Sequence, residues 1–125
     1  MPTRKPRGIR WLRGAQAHDF PAARSYLSLL YGRDKVDEMI TELRASPLVE
    51  FKAKDIFRAS GLSLLGVSNS HVEKDRAKIR RGEAISPLLL VRDRQNGRVV
   101  IADGYHRLCA IYGFNEDAVI PCKIV

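Results

Sequence analysis

The chain has 125 residues and a mass of 14.1 kDa, 45% of them hydrophobic and 29% charged; this fits one globular domain and excludes two full domains, a disordered chain or a fibre. The longest aliphatic run, Leu88 to Val91, is far short of the roughly 18 residues that span a bilayer, so no membrane segment is expected. Twenty-two Lys and Arg against 14 Asp and Glu give +8 at pH 7 and a pI near 9.9, a balance that favours phosphate-bearing partners.

Residues 1–18 read as a basic, disordered arm. Arg4, Lys5, Arg7, Arg10 and Arg13 all precede the first acid, Asp19, which leaves 17 basic against 14 acidic residues, or +3, in the remainder. Such an arm either keeps the chain soluble or makes a weak nucleic-acid contact, with Trp11 stacking on a base or docking on the domain. No apolar stretch follows it, so a secretory signal is not expected and the protein is placed in the cytoplasm.

Residues 19–47 read as a helical hairpin, because Phe20, Tyr26, Leu27 and Leu30, then Val36, Met39, Ile40 and Leu43, recur at helical spacing. Gly32 separates the two helices, Asp19 and Asp34 are the expected N-caps, and Ser46-Pro47 ends the second. The apolar stripes could cover a small sheet or pair with another copy of the chain, and the oligomeric state stays open.

Residues 48–125 carry the rest. A strand is expected over 49–53, a short helix over 55–60 closed by Gly61, and a basic helix over 70–81. Ser70 and Glu73 fit a capping box at the start of that helix. A hairpin follows, with strands at 87–91 and 98–103 around Asn96-Gly97. A helix then runs from Gly104 to Gly113, and the last strand, 119–125, holds Pro121, which suggests an edge or a bulge. The fold class expected is α+β, a short mixed sheet flanked by helices, with the helical hairpin added at the N-terminus.

Cys109 and Cys122 are too few and too widely spaced for a disulfide scaffold or a metal knuckle, and His18, His71 and His106 complete no zinc pattern, so no structural metal is expected. The informative stretch is Asp103-Gly104-Tyr105-His106-Arg107, where a strand gives way to a helix. Free amides at a helix N-terminus favour an anion, and glycine lets it come close. Arg107 could hold phosphate with its planar fork, and His106 could donate to it from either ring nitrogen. Asp103 could orient a hydroxyl or assist a magnesium ion, and His71 and Glu73 are secondary candidates. The alternative for the same residues is structural, with Asp103 as a cap, Gly104 as a turn and Arg107 in an ion pair.

Over about residues 48–125 the order Ile85-x-Pro87-Leu-x-Leu-Val91, Gly97, Ile101-x-Asp103-Gly-x-His-Arg107-x-x-Ala110, Gly113 and Ile120-Pro-x-Lys-Ile resembles the ParB N-terminal/sulfiredoxin-like superfamily. The resemblance implies a small α+β domain that binds nucleotide phosphates through Gly104, His106 and Arg107, with Tyr105 between them. Tyr105 stands where sulfiredoxins carry their reactive cysteine, so sulfinic-acid reduction is not expected. The segment is closer to the Asp-Gly-His-His-Arg of ADP-dependent serine kinases. Three readings follow: a domain binding a nucleotide or another phosphorylated small molecule; a magnesium-dependent phosphotransferase or nucleotide hydrolase using Asp103 in the same pocket; and a DNA- or RNA-binding accessory protein using the basic arm. Whether the chain is an enzyme stays open.

Overall fold

Four buried aliphatic residues in a row need apolar cover on both sides, because successive side chains of a strand point to opposite faces. The computed structural model, which describes residues 8–66 and 69–125, supplies that cover. Leu88 to Val91 open β2 (Leu88–Asp93), which lies between β3 (Arg98–Asp103) and β4 (Val119–Ile124), with β1 (Val49–Lys52) beyond β4. β4 runs parallel to β2, and the β1/β4 and β2/β3 pairs are antiparallel.

On one face Leu89 and Val91 pack with Phe20 and Leu27 of α1 (Asp19–Leu27) and Val36, Ile40 and Leu43 of α2 (Arg33–Ala45). On the other, Leu88 and Leu90 meet Ile56 of α3 (Ala53–Ser60) and Leu108 and Ile111 of α5 (Tyr105–Phe114). α4 (Ser70–Arg80) lies outside α5, and its Val72 is buried against Cys109 and Ala110. The chain is thus α+β, with five helices and a four-stranded mixed sheet among the described residues, and the N-terminal helical pair covers β2 and β3. No described helix is long and apolar enough to cross a membrane.

Several local expectations need correction. His18 and Gly32, not Asp19 and Asp34, precede the first two helices. Asp19 is instead buried, its carboxylate accepting the Gln16 N–H at 2.8 Å, which shapes the entry to α1. Asn69 caps α4, accepting from the amides of His71 and Val72 at 3.0 and 3.2 Å, so Ser70 lies inside the helix. α5 runs through Gly113 to Phe114, and a Cβ at Gly113 would stand 2.5 Å from the guanidinium of Arg76, which stacks on the Phe114 ring. Pro121 lies in an interior strand, opposite Glu50 of β1; pairing with β2 begins one residue later, at Cys122, so the proline removes no β2 hydrogen bond.

The arm also differs from expectation over residues 8–18. Leu12 N–H donates to the Ile85 carbonyl at 2.9 Å and Ile85 N–H to the Arg10 carbonyl at 3.0 Å, setting Trp11 and Ile9 against the α3/α5 core. Trp11 therefore docks on the domain. Arg4, Lys5 and Arg7 lie outside the described residues.

Candidate functional site

The site is built where β3 hands over to α5. β3 carries one extra residue, Ala102, because Leu89 pairs with Asp103 and Leu90 with Ile101. Such bulges re-aim the side chains that follow. Gly104 then turns the chain with φ 107°, a left-handed conformation, and a Cβ there would meet Leu88 Cγ at 2.8 Å. Conformation and space both require glycine. The first bond within α5 runs from Leu108 N–H to the Gly104 carbonyl at 2.9 Å, so the amides of Tyr105, His106 and Arg107 precede it, at the positive end of the helix dipole.

Arg107 turns back across this corner. Its Nε donates to Ser86 O at 3.1 Å, and its Nη2 to Pro87 O at 3.2 Å and to the Asp103 carboxylate at 2.9 Å. Ser86 is buried and donates through its hydroxyl to Gln16 of the arm at 2.9 Å. One guanidinium thus ties together the entry to β2, the end of β3 and α5. Nη1 has no hydrogen-bond partner among the described residues, and it alone of the guanidinium nitrogens remains for a ligand. Burial pushes the Asp103 carboxyl up, and the charge of Arg107 opposes that shift only in part.

A polar cavity of about 200 Å³ opens above the α5 N-terminus, lined by His71, Lys74, Asp75, Lys78 and residues 103–107. The His71 and His106 rings lie 4.9 Å apart, centroid to centroid. Lys74 and Lys78 have no carboxylate within 4 Å among the described residues. A second cavity of about 180 Å³ adjoins, shares Asp75, Lys78 and Arg107, and adds Gln16, His18 and Glu83. The Tyr105 ring packs beside His106, while its hydroxyl donates to the Ser63 carbonyl and anchors the loop before α4.

His71 therefore joins residues 103–107, as its sequence position allowed. Glu73 does not: it points along α4 to Arg76 and Arg80, at 3.8 and 2.7 Å. The sequence reading missed Lys74, Asp75 and Lys78 as members of the site. With His71 they fall at i, i+3, i+4 and i+7, one face of a helix, a spacing that by itself does not separate a cavity wall from a solvated surface. Cys109 is buried under this corner, its thiol pushed up by desolvation, and Cys122 is pushed up to about 12 by burial; neither is an activated thiolate. Two carboxylates, Asp75 and Asp103, face the cavity, and no three His, Cys, Asp or Glu side chains gather as metal ligands among the described residues.

No family model, curated protein or solved structure matches the chain.

Proposed function

We propose that the chain binds a nucleotide or another phosphorylated small molecule in the cavity above the α5 N-terminus. The observation that carries this is the convergence on one small polar cavity of two lysines without an ion-pair partner among the described residues, two imidazoles and three helix-start amides. The resemblance of residues 85–110 to ParB/sulfiredoxin-like sequences points to the same corner. The phosphate-holding role falls to Lys74, Lys78, His71, His106 and the amides. Arg107, with three hydrogen bonds already made by Nε and Nη2, chiefly positions Asp103 and the strand entry.

A thermal-shift panel of ATP, ADP, CTP, GTP and inorganic phosphate, with and without Mg²⁺, tests this reading on wild type and on the Lys74→Ala/Lys78→Ala variant. A ligand at about 100 times its Kd stabilises the fold by roughly 2.7 kcal/mol, a shift of several degrees at this size. A shift in wild type that vanishes in the variant supports the site. No shift with any ligand, or an equal shift in both proteins, refutes it.

The phosphotransferase reading draws on one observation: the Asp103 carboxyl, partly buried and bonded to Arg107, lines the same cavity, where it could accept a proton from a bound hydroxyl. It requires turnover, followed by phosphate release or transfer from the same nucleotides and abolished in Asp103→Asn.

A further inference from the structure

We infer that the His71/His106 pair makes anion binding at this cavity pH-gated, so that the site holds a dianion far more tightly in mildly acidic than in mildly alkaline conditions. The inference rests on the anion-site reading above. Its basis is a pair of imidazoles from two different helices, 4.9 Å apart, set in a cavity that already carries a small positive charge.

The charges facing the pair can be counted element by element. α4 contributes Lys74, Asp75 and Lys78; β3 contributes Asp103; α5 contributes Arg107 and the neutral Tyr105. Three cations against two carboxylates leave +1 with both imidazoles neutral and +3 with both protonated. The neighbouring cavity adds His18 and Glu83, at a greater remove. Imidazole is the side chain that ordinarily changes charge between pH 5 and 8.

A dianion bound in this cavity attracts each imidazolium and so holds protonated rings more tightly than neutral ones. Binding and proton uptake therefore favour each other, and the coupling is reciprocal. The lysines supply affinity at any pH near neutrality, and the histidines supply its pH dependence. The same count excludes a neutral ligand from the gating, because such a ligand gains nothing from the second and third charges.

The test is the affinity of full-length protein for sulfate at pH 5.5 and 7.5 at fixed low ionic strength. Sulfate stays a dianion across that range, whereas a phosphomonoester itself titrates with a pKa of about 6. Wild type should bind about tenfold or more tightly at pH 5.5 than at pH 7.5, and His71→Gln/His106→Gln should lose most of that ratio. Binding of equal strength at both pH values overturns the gate and leaves the anion site standing. A full pH ratio in the double variant also overturns the gate and assigns the titration to other groups. No saturable binding at either pH, with sulfate or pyrophosphate, overturns the anion site and the gate with it.

Discussion

Two openings on this molecule are opposites. One, of about 770 Å³, lies between the arm and the C-terminal ends of α4 and α5, and is walled by Ile9, Trp11, Ile79, Phe114 and Val119. The other holds about 200 Å³ and has an almost wholly polar lining. Both contain basic side chains, but the charges differ in what answers them. Arg80 and Arg81 at the large opening are paired with Glu73 and Glu83 at 2.7 and 2.6 Å, whereas Lys74 and Lys78 at the small one have no such partner among the described residues. Size thus separates from charge pairing: the arginines of the larger opening are ion-paired, and the lysines of the smaller one have no ion-pair partner among the described residues.

The comparison breaks most visibly if the small cavity loses its frame. Arg107→Ala leaves Asp103 partly buried without its cation and frees the Ser86 and Pro87 carbonyls, so a loss of about 2–4 kcal/mol is expected by urea denaturation. Gly104→Ala forces a left-handed conformation on alanine and presses its methyl on Leu88, costing about 2–3 kcal/mol in the same measurement. Lys74→Ala/Lys78→Ala should do the reverse, abolishing anion binding while moving stability by no more than about 0.5 kcal/mol.

A smaller effect follows from Asp103. Its folded carboxyl is raised above 3.8, so the stabilisation it contributes is fully present below that value and is lost as pH rises through the folded pKa. Asp103→Asn does not titrate. The stability difference between the two proteins, followed by thermal melts from pH 3 to 7, should therefore shift in favour of the variant as pH rises. A shift in the opposite direction would mean that the Arg107 pair outweighs burial.

Local patterning made much of this fold readable in advance. Helical stripes placed α1 and α2, Asn96-Gly97 placed the β2/β3 hairpin, and the β3-Gly104-α5 corner was visible as a glycine between an alternating and a helical pattern. The strand order was not readable, since the parallel β4/β2 pairing joins residues more than thirty positions apart. Pro121 misled for that reason: its place in an interior strand depends on where β2 begins. Ser70 and Glu73 matched a capping box, yet Asn69, one residue earlier, makes the cap. At the site, Asp103 to Arg107 were legible because they are contiguous. Lys74 and Lys78 were not, because only the tertiary packing of α4 on α5 turns a surface stripe into a cavity wall.

The most direct measurement is amide chemical-shift mapping of the protein titrated with pyrophosphate at pH 6. Saturable shifts centred on Tyr105, His106, Arg107 and the first two turns of α4, absent in Lys74→Ala/Lys78→Ala, are the predicted result. Shifts centred instead on Trp11, Ile79 and Phe114, or no saturable shifts at all, would contradict it.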